Sequence, residues 1–194
     1  MKIVVGQTYY YEDFITVDEQ LFLRDWALRN EDYLIPNPTG PYRKRSPLNL
    51  LSDYPKLLIE LKERLLDLES LRDDEGIIID DTQDMVSVQR NLGSIPKHMD
   101  KDRKKGYYLR RYNIFISLPD RGGLPIYGGD ILEVKERCIL RVDAGLNPHS
   151  TIPNEGDNPR IMLSYGFHVK RNNFYKMFGG MELITIFVLT KQKI

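Results

Sequence analysis

Cysteine is almost absent from this sequence: Cys138 stands alone among 194 residues. That excludes an intrachain disulfide and any zinc site built on thiolates, and a reducing, cytoplasmic setting is expected. A charge excess of one sign is missing too. Lysine plus arginine and aspartate plus glutamate number 28 each, so no global field gathers a polyanion. This argues against a dedicated nucleic-acid binder. Long hydrophobic runs are also lacking, so no membrane association is expected, and the apolar start Met1-Lys-Ile-Val-Val-Gly is too short for a signal peptide. With no internal repeat, low-complexity tract or inter-domain linker, the chain is expected to form one domain over 1–194 with a substantial core.

What is present divides at Gly76. Residues 14–75 are read as a helical support. Thr16-Val-Asp-Glu19 forms a capping box, after which Leu21, Phe22, Trp26 and Leu28 or Ala27 recur at helical spacing as far as Asn30. The stretch Ile35–Pro47, with four prolines and Gly40, reads as a loop. Ser52 or Asp53 with Pro55 opens a second helix. Its expected packing stripe is Leu57, Leu58, Leu61, Leu65 and Leu68, with Lys56, Glu60, Lys62, Glu63 and Arg64 mostly outward.

Beyond Gly76, short β-prone runs are separated by Gly, Pro and Asp: Ile77–Ile79, Met85–Gln89, Tyr107–Leu118, Asp130–Val134, Cys138–Val142, Ile161–Phe167 and Leu183–Leu189. Such spacing, with no helix between the strands, predicts an antiparallel sandwich or jelly roll over about 77–190. The predicted class is mainly β with N-terminal helices packed on one sheet.

Histidine is scarce as well, with three in the chain. Two of them fall into the ordered set His98-Met99-Asp100, His149 and Arg160. Residues two apart on a strand share a face, so His98 and Asp100 can point into one cavity mouth. His149 follows the Cys138–Val142 run in a Gly/Pro-rich turn, and a jelly roll can bring it to the same place. Two imidazoles and one carboxylate on one face of a metal, with positions left open, suit a non-haem Fe(II) oxygenase. The alternatives are a chance His-x-Asp triplet and a surface turn histidine at 149. A glycine or alanine at position 100 would open a site for chloride, whereas Asp100 favours hydroxylation or another oxidation.

Arg160 offers two parallel donors to a carboxylate, a pairing that lysine cannot make, and so suits the anchor of a keto acid. Its alternative is a solvent-facing arginine at a strand start. Asn113 and Ser117 share a strand face with Phe115, so they line either the cavity, as keto-acid contacts, or the solvent side. Gln89 is a similar candidate. His168 is read as structural or surface-exposed. The cations Lys97, Lys101, Arg103, Lys104, Lys105, Arg110 and Arg111 around the motif form either a solvated loop or a lid over 101–106 that meets an acidic substrate, with Tyr107 and Tyr108 adding a stacking surface. Pro36–Arg45 is the second segment expected at the substrate rim.

The residues His98-Met-Asp100, Gly128-Gly129-Asp130-Ile131-Leu132, Pro148-His149-Ser150 and Asn158-Pro-Arg160-Ile-Met-Leu-Ser164 resemble the iron(II)/2-oxoglutarate-dependent dioxygenases, closest to the prolyl-4-hydroxylase-like branch. The resemblance covers about 84–169. It implies a double-stranded β-helix, of jelly-roll or cupin-like form, in which His98, Asp100 and His149 ligate Fe(II) and Arg160 pairs with the distal carboxylate of 2-oxoglutarate. It also implies O2 as the second cosubstrate and release of succinate and CO2 as a C–H bond is oxidised. A small-molecule substrate, such as an amino acid or biosynthetic intermediate, is expected. A peptidyl (prolyl-type) hydroxylase and a non-oxidative cupin-like metal protein are the alternatives.

Overall fold

Thr16 opens the first helix as its capping box predicts. Its hydroxyl accepts the Glu19 amide at 3.2 Å while the Glu19 carboxylate accepts the Thr16 amide at 2.8 Å, and α1 runs Val17–Arg29. The structure, a computed structural model, describes residues 2–5, 8–38, 40 and 42–171. The buried face of α1 is Leu23, Trp26 and Ala27, whereas Leu21 and Phe22 are 58% and 45% exposed. Both sets satisfy helical spacing. The choice between them is tertiary: the Trp26 indole donates to the Asp53 carbonyl at 2.8 Å and fixes which side turns inward.

The second helix, α2 (Lys56–Leu68), starts directly after Pro55 and buries Leu58, Leu61, Leu65 and Leu66. Leu68, read as part of the stripe, is exposed, and Lys62, read as outward, is buried. The Lys62 ammonium lies 2.5 Å from a carboxylate oxygen of Asp84 and 2.5 Å from one of Asp81. It also lies near the rings of Tyr165 and Phe167. A buried cation persists only when its counter-charges come with it. Here they come from a segment beyond the helix, which helical periodicity does not report. No helix among the described residues is long and apolar enough to cross a membrane.

The strands are β1 (Lys2–Val5), β2 (Thr8–Tyr11), β3 (Ile35–Pro36), β4 (Arg43–Pro47), β5 (Ile77–Ile79), β6 (Met85–Gln89), β7 (Tyr107–Ser117), β8 (Arg121–Gly122), β9 (Pro125–Tyr127), β10 (Asp130–Ile131), β11 (Ile139–Val142), β12 (His149–Thr151), β13 (Asn154–Glu155) and β14 (Arg160–Lys170). The main sheet is antiparallel, in the order β1-β2-β11-β7-β14-β6-β4-β3, with β5 also on β14. A smaller sheet is ordered β10-β9-β12, and β13 pairs with β8. Six expected strands fall on β5, β6, β7, β10, β11 and β14. The seventh, Leu183–Leu189, lies outside the described residues. The expected loop over 35–47 contains β3 and β4 instead, because Arg43–Pro47 pairs along the whole of β6. The proline of β3 sits on the edge of the sheet, where a missing N–H leaves no ladder bond broken.

Alternation along β7 and β14 divides the main sheet into two faces. Tyr112, Ile114, Ile116, Ile161, Leu163, Tyr165 and Phe167 share one core with Leu23, Trp26, Leu58, Leu61 and Leu65 of the helices. On the opposite face Phe115, Leu140, Val142 and Met162 pack with Tyr127, Leu132 and Val134 from the region of the smaller sheet. The mainly β arrangement, a large antiparallel sheet with two smaller ones, is consistent with a jelly roll. Gly128 and Gly129, both at positive φ, form the two-residue turn joining β9 to β10, a connection that requires left-handed backbone.

The Lys62–Asp84 pair should show in unfolding. Burial pushes the Asp84 carboxyl up to about 6 against the pull of Lys62. A folded-state pKa above the unfolded value near ~3.9 means that the stabilising contribution of Asp84 is present at lower pH and lost as pH rises through about 6. Removing its cation raises that pKa further. Lys62→Met is expected to cost roughly 3–5 kcal/mol at pH 8 and clearly less at pH 5, as read by urea unfolding. An equal cost at both pH values would show that the lysine stem, not its charge, is what matters.

Candidate functional site

His98 and His149 are brought together by the main chain. The His98 amide donates to the His149 carbonyl at 3.0 Å, and the His149 amide donates back to the His98 carbonyl at 2.8 Å. The segment before β7 thus runs antiparallel beside β12 as an extra rung of the smaller sheet. Two further bonds hold its ends. Thr151 donates its amide to the Ile95 carbonyl at 3.0 Å, and the Asp100 amide reaches Ala144 O at 2.9 Å. The three predicted ligands therefore meet through backbone bonds, with the imidazole rings 4.3 Å apart.

The side chains converge on one point. His98 Nε2 lies 3.4 Å and His149 Nε2 3.9 Å from Asp100 Oδ1. Each Nδ1 faces a carbonyl, Pro96 O at 2.8 Å for His98 and Asn147 O at 3.3 Å for His149. A proton on Nδ1 satisfies that contact and leaves the Nε2 lone pair for a metal. Burial opposes ionisation of Asp100, but His98 and Arg111 outweigh it and hold the carboxyl well below the usual range. Burial lowers the His149 pKa, favouring the neutral ligand form, whereas the hydrogen bond to Asp100 raises that of His98. The ligand atoms of the three residues lie within 4.8 Å of one another. Two neutral imidazoles and one carboxylate fit a divalent transition metal with open positions.

Arg111 was legible only as one of a run of cations. Its Nε donates to Asp100 Oδ2 at 2.5 Å and its Nη1 to the Gln83 carbonyl at 3.0 Å. The oxygen of Asp100 that does not face the histidines is thereby occupied. Arg110 turns elsewhere, to Asp143 at 2.6 Å and the Tyr108 hydroxyl at 2.8 Å. The third histidine, His168, is buried on β14 with Nε2 3.2 Å from Asp80 and takes no part in the cluster.

A cavity opens beside the triad, walled by the main sheet and β9–β12. Arg160, Met162 and Ser164 of β14, Asn113 and Phe115 of β7, and Arg43 of β4 all line it. Arg160 is 2% exposed, yet its Nε and Nη1 meet no partner. Its guanidinium lies 5.2 Å over the Phe115 ring, and burial pushes its pKa down to about 10. Asn113 Oδ1 is likewise buried without a partner. Ser117 and Gln89 are placed differently. The Ser117 hydroxyl donates to Pro159 O at 2.8 Å, while the Gln89 amide donates to Gly93 O at 2.8 Å and Asn154 Oδ1 at 2.9 Å. Neither residue lines the cavity. A groove runs on from the mouth between β3–β4 and residues 95–103, and Lys97, Lys101 and Arg103 are among its lining residues. Arg43 falls in the segment expected at the substrate rim, but its place on a strand and its burial were not legible, since that segment read as a loop.

No family model matches the sequence, and no curated protein matches it. Solved structures do match in shape. HygX from Streptomyces hygroscopicus, solved with nickel, 2-oxoglutarate and hygromycin B bound, superposes with TM-score 0.64 at 12% identity, covering 82% of each chain. A Pseudomonas putida prolyl-4-hydroxylase gives 0.63 at 16% identity over 85% of this chain and 93% of that one. A Trichoplax adhaerens prolyl hydroxylase, in complex with a hypoxia-inducible-factor peptide fragment, gives 0.64 at 11% identity over 86% and 84%. The chain shares the fold of these structures, prolyl hydroxylases among them, which is consistent with the jelly-roll architecture implied by the sequence resemblance.

The Asp100–Arg111 contact predicts a measurable effect on metal affinity. Partners that orient a ligand typically contribute 10–100-fold in binding. Arg111→Met should weaken Ni(II) binding by roughly that factor, as followed by calorimetric titration, with the fold retained. Unchanged affinity would reduce Arg111 to a packing role.

Proposed function

We propose that the protein is an Fe(II)- and 2-oxoglutarate-dependent dioxygenase that hydroxylates, or otherwise oxidises, an unactivated C–H bond of a small molecule. The observation that carries this reading is Arg160: a fully buried guanidinium, with unpartnered nitrogens, on the cavity that the His98–Asp100–His149 cluster also lines. A buried cation without a counter-charge is costly, and a dicarboxylate cosubstrate supplies the missing partner. Fe(II) and 2-oxoglutarate, when bound, supply the oxidative decarboxylation to succinate and CO2 that uses O2 and oxidises the substrate.

The chain's own residues hold, orient and exclude. His98, Asp100 and His149 hold the metal through Nε2, Oδ1 and Nε2. Arg160 pairs with the distal carboxylate of the keto acid, and the free Asn113 Oδ1 marks a second polar contact for it. Ser117 fixes the carbonyl of Pro159 next to Arg160, and Gln89 is paired beside Arg160 in the sheet, so both act on the cosubstrate site by positioning that arginine. Phe115, Leu140, Val142 and Met162 keep the interior apolar, which strengthens every charge contact there. The helical support and jelly-roll core act together as one domain.

Substrate class follows from less. HygX was solved with hygromycin B bound, and the Trichoplax enzyme with a peptide fragment. An amino acid or biosynthetic intermediate is the reading preferred for this chain, in a cytoplasmic setting. A peptide is the second reading, favoured by the groove that continues past β3–β4.

Succinate release should require both added Fe(II) and 2-oxoglutarate and should vanish in His98→Ala and Asp100→Ala. Arg160→Ala should raise the 2-oxoglutarate requirement roughly 10–100-fold, the loss expected for a hydrogen bond to a charged group, while Ni(II) binding stays intact. A metal-loaded protein that never consumes the keto acid under any panel of amino acids, peptides and metabolites would instead be a cupin-like binding protein.

A further inference from the structure

The cavity contains a second buried cation that one keto-acid cosubstrate leaves unmatched. Arg43 on β4 is 6% exposed and its Nε meets no partner. In the sheet register Gln89 of β6 pairs with Arg43 on one side and Arg160 on the other. Directly paired residues share a face, so the two arginines stand in one row facing the cavity, two strands apart. That is roughly 10 Å between their backbones, at ~4.8 Å per strand.

Arg43 has no carboxylate to itself, although Asp100 exerts some opposing pull on it. The carboxylates that line the cavity and groove are those of Asp100 and Asp102. Asp100 is engaged by Arg111 at 2.5 Å and faces the histidines, and Asp102 is held by Arg171 at 2.5 Å. Further cations line the same surface: Arg45, exposed two residues along β4, and Lys97, Lys101 and Arg103 on the facing segment. Burial, with Arg45, Arg160 and Arg111 adding like charge, pushes the Arg43 pKa down to about 9. Under the 2-oxoglutarate reading, on which this inference rests, one end of the keto acid is at the metal and the other at Arg160. Neither anionic end is left for Arg43.

We propose that the primary substrate is itself an anion, carrying a carboxylate or phosphate group that Arg43 binds inside the cavity, with Arg45 at the rim. The guanidinium is forked and planar, which suits either oxyanion. Arg43 then determines specificity: it selects acidic substrates and sets how deeply their reactive carbon enters.

The test uses the full chain loaded with Ni(II) and saturated with 2-oxoglutarate, titrated calorimetrically with inorganic phosphate and, separately, with acetate. The expected result is uptake of one of these probes, weakened at least about 10-fold in Arg43→Met and partly restored in Arg43→Lys. The probe that binds more tightly identifies phosphate or carboxylate as the group recognised. In anion-free buffer Arg43→Met should melt at a higher temperature than the parent, since it removes an uncompensated buried charge. A lower melting temperature would make Arg43 a structural anchor and overturn the proposal, as would probe binding that is absent in the parent or unchanged in Arg43→Met. Titration with 2-oxoglutarate keeps the two readings apart. If Arg43→Met loses 2-oxoglutarate affinity as Arg160→Met does, Arg43 serves the cosubstrate: the anionic substrate falls and the dioxygenase reading stands. If Arg160→Met binds 2-oxoglutarate normally while the second anion still depends on Arg43, the role of Arg160 falls and the anion site survives.

Discussion

The site depends on a reciprocal pair of main-chain hydrogen bonds, His98 to His149 and back. They tie the segment that carries His98 and Asp100 to the start of β12, and they set the separation of the two imidazoles before any metal is considered. Because the donors and acceptors are backbone, the arrangement survives wide change in surrounding side chains. The chain shares its fold with HygX over 82% of its length at 12% identity. The side chains then need only rotamer and tautomer control. The Pro96 and Asn147 carbonyls supply the tautomer, and Arg111 fixes the carboxylate.

Charge placement within the cavity follows a different logic from charge placement in the rest of the protein. Elsewhere, buried ions come with partners, as Lys62 does with Asp84 and Asp81. Inside the cavity Arg160 and Arg43 are buried with open donors. The face of Phe115 offers Arg160 some relief, worth about 0.5–2 kcal/mol for a cation over a ring. That falls short of the several kcal/mol lost on desolvating an ion. Such unmatched groups cost stability, and under the proposed reading a bound anion removes that deficit. The two contrasting treatments of buried charge separate what holds the fold together from what waits for a ligand.

The sequence made the His98–Asp100–His149 cluster legible because its signal is local and rare: three histidines in all, two of them in an ordered pattern with Asp100 and Arg160. The capping box of α1 and the strands β5, β6, β7, β11 and β14 were legible for the same reason, since each is written in a few neighbouring residues. What failed was whatever depends on a distant partner. The face of α1 turned on Trp26 meeting Asp53, and the inward Lys62 on carboxylates beyond the helix. β4 was hidden because Arg-Lys-Arg between prolines carries no hydrophobic alternation. Its strand character comes from β6, which it meets only after the chain has passed through α2 and β5.

That hidden strand is also where the common chemistry gives way to what is particular to this chain. His149 sits on β12, His98 and Asp100 on the segment beside it, and Arg160 on β14. The main sheet could end at β6 and still hold all of them. Extending it by β4 and β3 adds nothing to the His–Asp–His cluster but moves the cavity wall outward by two strands and places Arg43 and Arg45 on it. Along a pleated strand alternate residues share a face, so the Arg-Lys-Arg run sends its first and third side chains toward the cavity and its second, Lys44, away to Asp32 at 3.2 Å. A sequence that looks like an undirected basic patch is therefore divided by the pleat into two cations for the cavity and one for the solvent side. Under the proposed reading, substrate selection lies in that pairing of β4 with β6, since it gives an otherwise nondescript triplet its direction.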